Sequence, residues 1–204
     1  MSRQAKTSKQ WVTAILLGLT CSSTLFADTF ITAGSHWKYQ DNGSDQGTAW
    51  RANAFDDSSW ISGPAQLGYG DGDEATVVNG GPTGARFITT YFRRTFNVAN
   101  PASFTDLTLT LLRDDGAVIY LNGTEWQRSN MPAGSIDYST PASLSVSGAD
   151  ESTFQTFTLP TTLLQTGINT IAVEIHQSAA TSSDISFDLT LTGNVANTAP
   201  QITR

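Results

Sequence analysis

The chain has 204 residues, 39% of them hydrophobic, with 18 acidic against 11 basic residues, a formal net charge of −7 and a single cysteine. That balance argues against nucleic acid and anionic membrane as partners and suits cations or neutral polymers. One cysteine excludes an internal disulfide.

The chain opens on Arg3, Lys6 and Lys9, followed by the apolar run WVTAILLGL and a close at Phe26-Ala27. This is the pattern of an export signal, and the run is shorter than the roughly 20 residues a membrane span needs. Cleavage after Ala27 is expected, so residues 1–27 are read as a signal peptide and Cys21 leaves with it. The mature chain then keeps eight basic residues against all eighteen acids, a net charge of about −10. The expected destination is the periplasm, cell surface or medium.

Beyond the signal, no segment sustains a helical period, whereas short alternating runs recur between clusters of Gly, Asn, Asp, Ser and Pro. In chain order the strands are expected at 88–98, 106–112, 117–123, 153–160, 169–177 and 184–192, with weaker signals at 35–40 and 124–128. Alternation sets the faces. Leu107, Leu109 and Leu111 form one inward row, Ile171, Val173 and Ile175 a second, and Ile185, Phe187, Leu189 and Leu191 a third. The stretch from Gly68 to Gly84 reads as a long exposed loop, and loops of that length are often functional. Asn122-Gly123 is a strong hairpin signal, because a type I′ turn needs positive φ at both central residues. Residues 194–204, NVANTAPQITR, lose the alternation and read as a linker-like tail, which leaves one domain over 28–193.

Four pieces in order, WRANAFDDSSW (50–60), YFRRTF (91–96), RDDGAVIYLNG (113–123) and GINTIAVEI (167–175), resemble the galactose-binding-like β-jelly-roll domains of bacterial secreted proteins. They are similar also to carbohydrate-binding modules and to the sugar-binding domain of family 2 glycoside hydrolases. The resemblance implies an all-β fold, a two-sheet antiparallel β-sandwich, often with a structural calcium. The role it implies is carbohydrate binding, or support of a neighbouring protein domain.

Several side-chain groups carry candidate chemistry. Asp114 and Asp115 are adjacent, so in extended chain they point apart and cannot flank one glycosidic bond; with Gly116 they read as a turn. FDDSSW offers Asp56, Asp57 and Ser59, either as a capped turn or as part of a calcium loop completed from near the last strand by Asp184 or Asp188, as in related jelly rolls. LGYGDGDEAT sets Asp71 and Asp73 among glycines, either as a solvated acidic loop or as a weak cation or sugar site, with Tyr69 as a stacking face. Trp126 and Arg128 follow the Asn-Gly turn on one strand face, either as a sugar platform or as a packed edge. Glu174 and His176 lie opposite the Ile171 row, either on an open binding face or partly buried. Arg94, by its parity with Phe92 and Phe96, is expected to turn inward and to need an acid.

No nucleophile elbow, HExxH or phosphate-cradling glycine loop occurs. The chain is therefore expected to be no enzyme. The reading is a secreted, non-catalytic carbohydrate-binding or accessory module, contacting glycan through Tyr69, Asp71, Asp73, Trp126, Arg128, Glu174 and His176. The alternative is a structural or adhesion module of a larger extracellular protein without a glycan site. A carbohydrate-active hydrolase or lyase ranks third, because no acid/base pair has a geometric reason to meet.

Overall fold

A computed structural model describes residues 27–195. All but the last residue of the expected signal peptide, residues 1–27, lies outside these residues with Cys21, as does the tail beyond Val195. Twelve strands form two six-stranded sheets. They are β1 (Ala27–Ile31), β2 (His36–Gln40), β3 (Ile61–Pro64), β4 (Leu67–Tyr69), β5 (Thr76–Val77), β6 (Thr89–Val98), β7 (Phe104–Asp114), β8 (Gly116–Leu121), β9 (Thr124–Ser129), β10 (Gln155–Leu159), β11 (Gly167–His176) and β12 (Ile185–Val195).

The first sheet has the order β10-β7-β12-β4-β5, with β1 also paired to β12; the second has the order β3-β2-β6-β11-β8-β9. All pairings are antiparallel except the short β4-β5 contact. The fold is all-β, as alternation implied, and is the two-sheet sandwich that the resemblance implied. Every residue of the three inward rows is at most 1% exposed. Between the sheets, Phe187 of β12 stacks on Phe92 of β6 at 4.3 Å between ring centroids and meets Trp37 of β2 edge-on at 4.9 Å.

Three expectations need correction. The Gly68–Gly84 stretch is not one loop: β4 runs into its start and β5 interrupts it at Thr76–Val77. Gly68 is required there because a Cβ would stand 2.0 Å from the Ile185 carbonyl oxygen of β12. The last strand also runs through Val195, two residues into the segment read as a tail. Asn122 and Gly123 do turn the β8-β9 hairpin with φ of 52° and 86°. The Asp114-Asp115 corner does something different, for it carries the chain from β7 in the first sheet to β8 in the second. Gly116 follows without a positive φ. It is needed for close approach, since a Cβ would stand 2.6 Å from Met131 Sδ and 2.9 Å from the Asn130 carbonyl oxygen.

The outer face of the second sheet is not open to solvent. Trp50, Trp60, Tyr91, Val118, Tyr120 and Ala172 form a second apolar cluster there, covered by Phe55, Met131, Ile136 and Tyr138. Hence β11 is buried on both faces, Glu174 and His176 included.

Candidate functional site

The predicted contacts fall into two regions, and most of them are engaged internally. Under the cover of the second sheet, Tyr120 donates its hydroxyl to Glu174 Oε1 at 2.6 Å, and Arg51 Nη2 stands 3.5 Å from the same oxygen. The Arg51 guanidinium also lies 4.1 Å from the Tyr120 ring centroid. His176 directs Nδ1 to the Thr140 carbonyl at 2.8 Å, and its Nε2 stands 3.6 Å from Glu174 Oε2. Burial first, and the Glu174 charge next, hold the Tyr120 hydroxyl well above the usual phenol range. This is an internal ion network that seats the covering loops on β11. It does not form an open binding face.

Arg93, rather than Arg94, is the buried guanidinium of this region. It gives Nε to Asp57 Oδ2 at 2.9 Å, Nη2 to the Ala52 carbonyl at 3.2 Å and Nη1 to the Trp50 carbonyl. Arg94 keeps the inward parity but lies half-buried on β6, where it donates to the His36 carbonyl and not to an acid. Burial lowers its pKa.

The FDDSSW segment takes the capped-turn form. Asp56 Oδ1 accepts the Ser58 amide at 3.0 Å; the Ser58 side chain first, and this amide next, hold its carboxyl below the usual range, and the Trp60 amide closes on the Asp57 carbonyl at 3.0 Å. Asp57 is committed to Arg93 because a buried guanidinium needs an acid, and Ser59 is exposed. Asp184, predicted to join them, instead groups with Asp71 and Glu151.

Trp126 and Arg128 do not share a face. A bulge between Ile119 and Tyr120 shifts the β8-β9 register, and one extra residue reverses every later side chain. Trp126 packs against the main core and gives Nε1 to the Pro160 carbonyl at 3.3 Å. Arg128 pairs with Glu125 and donates to the Pro132 carbonyl at 2.7 Å. Tyr69 is likewise no platform: it is 8% exposed, Arg86 covers its ring at 4.6 Å, and its hydroxyl accepts from Gln177.

The second region is the end of the first sheet, where the β4-β5 loop, the β7-β8 corner, a 3-10 turn over Gly148–Ser152 and the β11-β12 loop converge. Asp71 and Asp73 are exposed here. Asp71 Oδ2 accepts the Ser186 hydroxyl at 2.9 Å, and Asp73 Oδ1 accepts Gln66 Nε2 at 3.1 Å. Glu74 folds back on its own loop, accepting the Asp71 and Gly72 amides at 3.0 Å each. One carboxylate oxygen from each of Asp71, Glu151 and Asp184 lies within 4.8 Å of the others, and Asp71, Asp73 and Glu74 form a second such group. Among the described residues, these acidic groups are the ones able to hold a metal ion.

Sequence reasoning set Asp114 and Asp115 aside as a turn, and missed what each does. Asp115 pins two loops, the β9-β10 and β11-β12 connections: Oδ1 accepts the Val146 amide at 2.6 Å, and Oδ2 accepts the Ser178 amide at 2.7 Å and the Ser182 hydroxyl at 3.4 Å. Asp114 is 1% exposed, and neither of its oxygens accepts a hydrogen bond. Burial, then the adjacent Asp115 and Asp184 carboxyls, push its pKa up to about 9.

An acid that titrates at 3.8 when unfolded and near 9 when folded contributes stability that is complete below the first value and lost as pH rises through the second. In a chelator, the melting temperature is therefore expected to fall between about pH 5 and pH 9, and Asp114→Asn is expected to flatten that fall. Scanning calorimetry of both proteins checks it; parallel profiles would dismiss the assignment to Asp114.

No protein-family model matches the chain, and neither does any curated protein. Solved structures do. Bacteroides uniformis beta-glucuronidase is similar at a TM-score of 0.52 and 18% identity, over 82% of this chain and 18% of its own. A calcium binding mutant of Bacteroides uniformis beta-glucuronidase 2 is similar at 0.51 and 17%, over 83% of this chain and 18% of its own. The beta-glucuronidase from Ruminococcus gnavus in complex with D-glucaro 1,5-lactone is similar at 0.50 and 10%, over 85% and 30%. The chain thus spans less than a third of the length of the enzymes it matches. At such identities the likeness bears on fold: this chain is a β-sandwich of the kind carried within family 2 glycoside hydrolase beta-glucuronidases, as the sequence motifs implied.

Proposed function

We propose that this chain is a secreted, non-catalytic carbohydrate-binding accessory module, stabilised by calcium, that works beside a catalytic or surface domain. The observation that carries this reading is the exposure of Asp71 and Asp73 on one glycine-flanked loop. Of the seven predicted contacts, these two keep carboxylates facing solvent, where they can accept paired hydroxyls of a sugar ring in charge-assisted hydrogen bonds. The fold's solved neighbours are named as beta-glucuronidases, and the chain corresponds to a fraction of each, as an accessory domain would. Export follows from the basic and apolar N-terminal pattern. Among the described residues no helix is long and apolar enough to cross a membrane.

A glycan array probed with the purified protein in calcium tests this. Binding is expected, with about a tenfold loss of affinity in Asp73→Asn, since charge-assisted hydrogen bonds are worth about 1.5 to 3 kcal/mol. Trp126→Ala, if it remains folded, is expected to bind as the parent does, because its indole already serves the core and the Pro160 carbonyl. A folded protein that binds no glycan would overturn the proposal in favour of a structural or adhesion module. That second reading draws on the five predicted contacts that are engaged internally. Hydrolysis or elimination of any polysaccharide on the array would overturn the non-catalytic assignment.

A further inference from the structure

We infer that Met131 is a reversible oxidation site for hydroperoxides, and that its sulfoxide unfastens segment 130–143 from the outer face of the second sheet. This goes beyond the carbohydrate reading and does not depend on it.

Met131 is the one sulfur-bearing side chain among the described residues. It is partly exposed, so a small oxidant in water reaches it, yet it packs on the second apolar cluster as part of that cluster's cover. Its sulfur lies against Gly116, in the volume a side chain would take: a Cβ there would stand 2.6 Å from Sδ and 2.9 Å from the Ala142 Cβ. Gly116, Met131 and Ala142 therefore meet in one close-packed contact, with no slack for an added atom.

The chain is tied down on both sides of this contact. Asn130 gives Nδ2 to the Asp115 carbonyl at 3.0 Å and to the Leu144 carbonyl at 2.7 Å, and its own carbonyl accepts the Ser143 amide at 2.9 Å. On the other side, the Pro132 carbonyl accepts Arg128 Nη1 at 2.7 Å. Moving Met131 outward strains or breaks these bonds.

The chemistry is a two-electron oxidation. A lone pair of the thioether sulfur attacks one oxygen of hydrogen peroxide; the S–O bond forms as the O–O bond breaks, and the other oxygen leaves as water once the proton has passed to it. A flexible apolar side chain becomes a polar, chiral sulfoxide. Turned inward, the new oxygen meets Gly116 and an apolar cluster in place of water. Burying a polar group in that way is unfavourable, and solvating it takes the sulfur out of its seat.

Segment 130–143 also supplies carbonyls to the polar groups beneath it. Tyr138 accepts the Thr89 hydroxyl at 2.6 Å, and Thr140 faces His176 Nδ1 at 2.8 Å. Loosening the segment admits water to His176 and Glu174, both closed off in the folded protein. One sulfur atom thereby sets whether that face of β11 is covered or open, through a local change in polarity and packing.

The test is treatment of the purified protein with hydrogen peroxide, followed by peptide mass mapping and hydrogen exchange. One added oxygen is expected on the peptide that holds Met131. Exchange over residues 130–143 is expected to become about tenfold faster, with β7 and β12 unchanged, because the buried sulfoxide weakens the closed state and not the open one. Methionine sulfoxide reductases of both epimer specificities are expected to return the exchange to its starting rate. Met131→Leu, close in volume and without sulfur, is expected to keep the segment closed and to ignore peroxide. Met131→Gln, polar and of similar length, is expected to open the segment without any oxidant. Three results would overturn the inference: a sulfur that stays reduced where free methionine is oxidised, an oxidised protein whose exchange over 130–143 is unchanged, or an equal peroxide response in Met131→Leu. No glycan enters these measurements, so the failure of the carbohydrate reading and the failure of this inference are separate results.

Discussion

Phe187→Ala is expected to destabilise the fold by about 3 to 5 kcal/mol, the range for truncating a fully buried aromatic. The ring is 0% exposed, sits on β12 between β7 and β4, and contacts Phe92 and Trp37 across the sandwich. Its removal takes away both the buried area and the stacking that joins the two sheets, and neighbours fixed on two hydrogen-bonded sheets cannot collapse fully into the space. Urea unfolding followed by tryptophan fluorescence measures it: the midpoint should fall with the slope unchanged. A loss below about 1 kcal/mol would mean that the sheets do not meet through this residue, since even Ile→Val substitutions in cores cost about 0.5 to 1.5 kcal/mol.

The second large effect is expected at Arg93. This guanidinium is 1% exposed and serves three acceptors, Asp57 and the carbonyls of Trp50 and Ala52. It fastens the covering segment 49–60 to the outer face of the second sheet. Arg93→Ala is expected to cost about 3 to 5 kcal/mol, as breaking one side of a buried ion pair does. It is also expected to loosen the segment carrying Trp50 and Trp60. Arg93→Lys should recover less than half of the loss, because an ammonium on a flexible stem lacks the fixed fork that reaches three acceptors together. Asp57→Asn should be mild, since Asp57 is partly exposed and its amide replacement still accepts a hydrogen bond. Hydrogen exchange over residues 49–60 separates this account from a general loss of stability: if exchange rises equally across β7 and β12, Arg93 is not a local fastener.

Both effects bear on function through position. The core residue holds the two sheets in register, and register brings β12 and β7 together at Ser186 and Asp114. The Arg93 fastener holds the cover over Glu174 and His176, which keeps that face of the second sheet closed. What faces solvent with carboxylates converging is then the end of the first sheet.

The long strands were legible because each has a solvated or loop-covered face and a core face, so apolar residues recur at every second position, as in Leu107, Leu109 and Leu111. The strands that escaped notice, β1, β3, β4 and β5, are two to five residues long. They include Gly68, selected for close approach to Ile185, and Pro64 at the end of an edge strand, so no period develops. The second apolar cluster was illegible for another reason. Alternation reports which side chains share a face, but whether loops cover that face depends on segments such as 49–60 and 130–143 folding back over it. For the same reason the buried, acid-paired arginine is Arg93 and not the expected Arg94, and Glu174 with His176 became internal.

Sequence by itself determined the all-β class, the three inward rows and the Asn122-Gly123 turn, because these follow from periodicity and local backbone preference. Only the tertiary structure decided which acids meet. Asp71, Glu151 and Asp184 are separated by tens of residues along the chain and belong to no spaced motif; three loop conformations bring them to one end of a sheet. The bulge in β8-β9 turned Trp126 and Arg128 to opposite sides in the same way, since a single unpaired residue, invisible to pattern, reverses a strand's faces.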